Sequence, residues 1–443
     1  MPIKEERQKK EALEISIKEG CAANAMMGFG DQYVTPAMLA VGGTAGHVGF
    51  LSAITGIMGP LAQLWGNKLE KKYPNKKIVL NFVFLQVIGW MLLGAVLIIP
   101  ALMINKIPLY SIMTLYILGG ILGGLLHPAF FSWMGSLVKK QERGKYFSKR
   151  GVIIGIVGMI SILLGAVILD YFKDISKVIY GFALLFILAA IFRAISFMYL
   201  KRQYDPPKGK IKIIELPWKK FFSVKDKMGQ FTIGMAAFNF ALMIASPFFS
   251  VYLLQERQYS YLIYTILIMG SAAWSLIFLP LIGKFSDRYG NASLLSLAGF
   301  LFAITPPMWI IFQNPILILL IPQLLNGIAN AALNIGLTNY IYANTPTQTR
   351  GTTVAHVNVL GGFGTVVGSI LGGLLLTSFR TVPNIFFIVF LIAMIFRGAV
   401  SLLFLSKLKD VRSSHSKTLN FDLIHPLKTI HHDTRMIKNL IEK

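Results

Sequence analysis

Apolar stretches of about 20 residues recur twelve times along this chain, near 17–41, 46–66, 78–100, 108–137, 150–172, 176–200, 229–254, 261–284, 292–312, 315–343, 351–378 and 383–406. Each is long enough for a helix to cross the hydrocarbon core of a bilayer. Charged or turn-rich breaks separate them. With 55% of its 443 residues hydrophobic and only 14% charged, a water-soluble chain would have to hide more apolar surface than its interior holds. The expected fold is an all-α polytopic membrane protein with twelve transmembrane helices.

The second half repeats the first. Ile191-Phe192-Arg193-Ala194 returns as Ile395-Phe396-Arg397-Gly398, and each arginine follows an Arg-Gly pair at similar distance, Arg143-Gly144 in one half and Arg350-Gly351 in the other. Gly66-Asn67-Lys68-Leu69-Glu70-Lys71 likewise matches Gly283-Lys284-Phe285-Ser286-Asp287-Arg288. The expected organisation is a segment 1–16, a six-helix bundle 17–200, a linker 201–228, a second pseudo-symmetric six-helix bundle 229–406 and a tail 407–443. Two such bundles suit a transporter, because a site between them opens to either side as they rock.

A net charge of +24 raises nucleic acid as a partner, but the positions of the bases argue against it. Of 43 Lys and Arg, 36 fall in alternate inter-span segments. That bias predicts a multi-pass protein of the cell membrane with both termini and the linker in the cytoplasm. Met1 to Gly20 lacks a short apolar core and a cleavage site, so the first span is expected to stay in the mature protein. In the linker, Trp218 and several Ile and Phe interleave with lysines, which fits either the inner leaflet or a solvated loop. Cys21 stands alone, excluding an internal disulfide and a cysteine metal site. His425, His431 and His432 lack a companion ligand pattern, so no metal or other cofactor is expected. No phosphate-binding Gly-x-x-x-x-Gly-Lys-Ser/Thr loop appears, which leaves a gradient as the energy source for uphill movement.

Gly283-Lys284-Phe285-Ser286-Asp287-Arg288-Tyr289-Gly290, after the second span of a six-span half, closely resembles the loop signature of the major facilitator superfamily. The first-half copy departs from it, with Glu70 for aspartate, Lys71 for arginine and Tyr73-Pro74-Asn75 at the closing glycine. The resemblance covers the whole chain as twelve spans in two halves, with motif identity confined to these loops and the Arg-Gly positions. A small residue at a helix end admits a close neighbour. An acid one turn later attracts the positive end of a facing helix, and the adjacent base pairs across the gap. Such contacts exist only while the inner gate is shut, so Gly66, Glu70, Lys71, Arg143, Gly283, Asp287, Arg288 and Arg350 are candidate gating residues. The structural alternative is a charged turn that stops a helix. Glycines crowd the fifth and eleventh spans, which the resemblance implies pack against the eighth and second. Pro36 and Pro247 stand where they would interrupt the first and seventh spans.

The resemblance also implies that the first and fourth spans of each half line a central cavity. Those spans carry Asn24, Asp31 and Gln32, then His127, then Asn239, then Gln323, Asn326, Asn330 and Asn334. The amides of the tenth span share one helical face. Carboxamides both donate and accept hydrogen bonds, which suits a sugar, an amino acid or another small polar solute. The competing role is glue between helices. Trp133, Phe238, Phe240 and Trp274 are candidate walls. Arg193 and Arg397 read as structural residues that snorkel inward or bind carbonyls, with a gate or an anionic substrate as alternatives. Asp31 is the candidate proton carrier, because burial in an apolar span disfavours its charged form, and His127 is its candidate partner. Asp170 and Asp174 read as a short outside loop, and no cluster of catalytic groups appears, so an enzyme is not expected. The leading function is secondary active transport of a small organic solute by alternating access, with protons as candidate coupling ion. A multidrug-type efflux pump is the alternative on the same fold, and a non-transporting receptor or sensor is the alternative of another class. The expected partners are the lipid bilayer and a small-molecule substrate, and the expected state is a monomer.

Overall fold

The computed structural model describes residues 2–99, 107–138, 142–206, 226–346 and 349–408, apart from the side chains of 2–6, 143–145 and 287. Most of the linker, the tail beyond 408, and the side chains of the candidate gating residues Arg143 and Asp287 lie outside the described residues. Where lipid replaces water, a spanning segment must satisfy its own backbone groups, and a helix does so. The first half contains α1 (Pro2–Phe29, continuing as Val34–Ala40), α2 (Ala45–Lys72), α3 (Asn75–Ile98), α4 (Ile107–Leu137), α5 (Arg143–Asp174) and α6 (Val178–Arg202). The second contains α7 (Lys227–Met243, continuing to Glu256), α8 (Tyr261–Tyr289) and α9 (Asn291–Ile311). After these come α10 (Pro322–Asn344, entered through Pro315–Leu320), α11 (Arg350–Ser378) and α12 (Ile385–Leu403). Among the described residues, eleven helical segments are long and apolar enough to cross a membrane. The twelfth is α1, whose apolar run is interrupted.

Packing repeats with the duplication. In the first half α1 lies on α5 and α6, α3 on α4 and α6, and α2 on α4. The second half reproduces this, with α7 on α11 and α12, α9 on α10 and α12, and α8 on α10. The halves meet where α2 packs on α11 and α5 on α8. Gly364, Gly368 and Gly372 explain how α11 comes so close to α7. A Cβ at any of them would overlap a carbonyl oxygen of α7, those of Ala236, Phe240 and Ile244 in turn. Spaced four apart, they give α11 a bare backbone stripe against α7.

The two signature loops turn differently. Gly290 has φ 86°, a left-handed backbone at the junction of α8 and α9 that glycine adopts without strain. In the first half Tyr73 and Pro74 are extended, with ψ of 155° and 139°, so the chain turns without a glycine.

Candidate substrate and coupling site

Helices α1 and α7 both break near mid-span. A 3-10 turn, Asp31–Tyr33, interrupts the first, and Ser246–Phe248 interrupts the second. Pro36 and Pro247 lack the N–H that would bond the carbonyl four residues back. Tyr33 packs against Gly165 of α5, and Phe248 packs against Gly372 of α11. These matching contacts fix the register between the halves, so Asp31 and Ser246 occupy equivalent positions.

The twin arginines stand beside these breaks with different partners. Arg397 is 2% exposed. Its guanidinium donates to the carbonyls of Ala241 (3.4 Å), Phe302 (3.0 Å) and Leu242 (2.8 Å) and to Ser246 Oγ (3.2 Å). It therefore satisfies carbonyls at the break in α7, deep in the bundle, and does not snorkel. Arg193 donates through Nε to Gln86 Oε1 (3.0 Å) and through Nη1 to Ser196 Oγ (3.3 Å). Ser196 in turn donates to Glu19 Oε1 (2.9 Å), and Arg150 donates to Glu19 Oε2 (3.2 Å) and Ser16 Oγ (3.1 Å). Glu19 is 3% exposed and forms a buried ion pair with Arg150. Asp31 is thus not the only acid deep in the first span. Sequence reasoning misses Glu19 because it sits two residues inside the apolar run, where an acid reads as a helix end.

Asp31 lines an open cavity of about 520 Å³ formed by α1, α3 and α4. Gln86, Trp90 and Tyr116 share its walls, which are otherwise mostly apolar and include Met26 and Leu115. Arg193 reaches this cavity through Gln86, one of its walls, and reaches Glu19 through Ser196. Gln32, the next residue, is exposed.

On α10 the four amides divide. Gln323 is buried and donates to the carbonyl of Leu267 on α8. Asn326 accepts from Thr305 of α9 at 2.9 Å. These two tie α10 to its neighbours. Asn330 and Asn334 continue the same face with growing exposure, and Thr338 extends it by one more turn. Asn239 donates to Met235 of its own helix (3.0 Å) and lies against Gly361. Asn24 similarly donates to Gly20 (3.0 Å). His127 is exposed, bonded to Gln63 of α2 (2.8 Å) and packed on Phe131 at 4.4 Å, so it and Asp31 have different neighbours. Trp133 and Phe238 are fully buried and are not cavity walls. The indole of Trp274 bonds the carbonyl of Leu319 at 2.9 Å.

The interface between halves is asymmetric along its length. At the end away from the termini, Asp170 accepts from the backbone N–H of Tyr261 (2.7 Å) and Leu262 (2.9 Å), capping α8 from the opposite half. A carboxylate there satisfies orphan amides and complements the helix dipole. Tyr33 and Thr265 approach to 3.3 Å, Ser52 and Ser369 to 3.1 Å, and Gln255 donates to the carbonyl of Gly43 at 3.1 Å. Leu39 and Val48 join a buried apolar cluster with Phe248 and Leu376. Asp170 is therefore an interdomain contact, where sequence alone suggested a loop residue.

At the end that carries the termini, Gly151 and Gly155 of α5, Gly283 of α8 and Gly351 of α11 face open space, and a Cβ added at any of them would meet nothing within 4 Å. Gly66 instead packs against Leu125 of its own half. Glu70 and Lys71 line a cleft of about 410 Å³ with Asp205 and Pro206, at the start of the linker. Arg350 lies over the ring of Tyr342 at 4.3 Å, and Arg288 over Tyr289 at 5.4 Å.

Comparison with known proteins agrees with this architecture. The family model of the Major Facilitator Superfamily matches residues 20–279 and 231–438. Among solved structures, the nucleoside transporter NupG is similar with a TM-score of 0.65 at 14% identity, over 91% of this chain and 100% of that one. A bacterial homologue of the iron transporter ferroportin, in an inward-facing state, gives 0.67 at 16% identity, over 90% and 99%. An auto-inhibited POT family peptide transporter gives 0.66 at 11% identity, over 93% and 100%. No curated protein matches the sequence. With the family model spanning both halves and the helices packed as two repeated bundles, the chain belongs to the Major Facilitator Superfamily and is a membrane transporter.

Proposed function

We propose that this protein is a secondary active transporter that moves a small polar organic solute by alternating access, coupled to protons through Asp31. The asymmetry of the interface carries the reading. One end is latched between halves by Asp170 and by α2 against α11, while glycines of the same interface helices face open space at the other. With the termini placed in the cytoplasm by the charge bias, this arrangement is inward-open. Asn330, Asn334 and Thr338 on α10, and Asp31 and Tyr116 in the first half, offer the donors and acceptors such a solute needs. The mostly apolar walls beside Asp31 favour a second reading, export of apolar compounds.

A specific ligand stabilises the state it binds. A thermal-shift screen of the purified protein should therefore find a stabilising class among sugars, amino acids, nucleosides and short peptides. The best member should then drive counterflow in proteoliposomes. Stabilisation only by hydrophobic cations would move the reading to export. Binding without counterflow would leave a receptor. For orientation, cysteines placed at Lys72 and Lys173 on a Cys21→Ala background should differ in intact cells, with an impermeant reagent labelling only the second. Labelling of the first would reverse the orientation.

A further inference from the structure

Arg193 and Arg397 are twins by duplication, and comparing their surroundings separates what the fold requires from what the first half has added. The registers of α1 with α7, α5 with α11, and α6 with α12 are set by Tyr33 and Phe248, Gly165 and Gly372, and the two arginines. In those registers Glu19, Asp31, Arg150 and Ser196 correspond to Gly234, Ser246, Val357 and Val400. The second half thus places its arginine among carbonyls and a serine. The first half surrounds its own with two acids, another base and a hydroxyl. An arginine beside the break is common to both bundles, whereas the acids belong to the first alone.

The added groups form an ordered ladder. Glu19 lies on α1 and Asp31 on the turn that interrupts it, about 18 Å apart at roughly 1.5 Å per residue. Arg193 from α6 stands between them, joined to Glu19 through Ser196 and to the cavity of Asp31 through Gln86. From Arg193 the hydrogen bonds run through Ser196 to Glu19, and from Glu19 through Arg150 to Ser16. Around Glu19 the other titratable neighbours are Tyr146 of α5, whose hydroxyl bonds the carbonyl of Leu13 at 2.9 Å, and Cys21 on α1. Around Asp31 they are Tyr116 of α4 and Arg193, with Gln86 of α3 held by Arg193.

We propose that Glu19 is a second proton station, coupled to Asp31 through the shared charge of Arg193. It rests on the coupling reading of Asp31 given above. When Asp31 takes up a proton, Glu19 is left as the one carboxylate facing the charge of Arg193. When Asp31 is ionised, the two carboxylates share that charge. Two acids that interact in this way titrate as a pair. Because Glu19 holds α1 to α5 and α6, the state of Asp31 in the cavity is transmitted to helix contacts nearer the terminal end.

Infrared difference spectra of the full-length protein in lipid, recorded across pH, read the protonated carboxyl stretch of each acid directly. The two bands are identified by Glu19→Gln and Asp31→Asn. Asp31→Asn should move the midpoint of the Glu19 band by at least one pH unit, about tenfold in proton concentration. Ser196→Ala, which removes the hydroxyl between Arg193 and Glu19, should move that band as well while leaving the Asp31 band present. A Glu19 band unmoved by both variants, or no Glu19 band at all, overturns the proposal. If Glu19→Gln does not fold, Glu19→Asp identifies the band by its shift, and the other two variants still decide the proposal. This outcome is separate from the coupling reading, which fails only if Asp31→Asn still accumulates solute in response to a pH gradient.

Discussion

Asp31→Asn is expected to abolish accumulation driven by an imposed pH gradient while preserving downhill exchange. A carboxyl in an apolar cavity pays heavily for its charge, so gaining or losing a proton there is tied to what else occupies the cavity and to which side it opens. Asparagine keeps the size and hydrogen-bonding ability of the protonated form but cannot release a proton. The site can still bind solute and return it. What it cannot do is carry net protons, so the loss should be at least tenfold in the accumulated ratio, with counterflow within a few-fold of the parent. Proteoliposomes loaded with the solute found by the stability screen make both measurements on one preparation. Accumulation by the variant that still follows the pH gradient would remove Asp31 as the carrier.

Arg397→Ala is expected to lower the stability of the folded protein by about 3 kcal/mol, at about 1 kcal/mol for each hydrogen bond to a carbonyl that is lost. The carbonyls of Ala241, Leu242 and Phe302 surround Arg397 at the break in α7, where the bilayer core has no water to replace it. The tie between α7, α9 and α12 is lost with the same contacts. Arg397→Lys keeps the charge but offers a point donor where a planar fork reached several acceptors, so it should recover only part of the loss. Thermal unfolding in a fixed detergent or lipid measures both. An alanine variant as stable as the parent would contradict the structural role.

The twelve spans were readable because bilayer thickness sets the length of an apolar run, and nearly every helix falls within a few residues of its expected position. The helices run past those limits where nothing stops them. Helix α5 begins at Arg143 and not 150, because a charged first turn is compatible with helix outside the hydrocarbon. The site was less readable for a different reason. Gln323 and Asn326 share a face with Asn330 and Asn334, and one helix cannot reveal that Leu267 and Thr305 wait opposite only the first two. Trp133 and Phe238 are indistinguishable in sequence from lining aromatics, yet both are closed in by neighbours. Asp170 looked like a loop acid until the start of α8 stood in front of it. In each case the missing information was the identity of the packing partner, which periodicity along one chain segment does not hold.

The two halves are expected to rock against each other in alternating access, and spin-label distances across both ends test this most directly. On the Cys21→Ala background, one label pair at Lys173 and Thr381 spans the latched end, and another at Lys149 and Lys284 spans the end with the termini. Each pair should show two distances whose populations change in opposite directions. Asp170→Ala removes two charge-assisted hydrogen bonds between the halves, so it should raise the long-distance population at the latched end about tenfold and lower it at the other. A single distance at each end, unchanged by pH or by Asp170→Ala, would contradict alternating access in this protein.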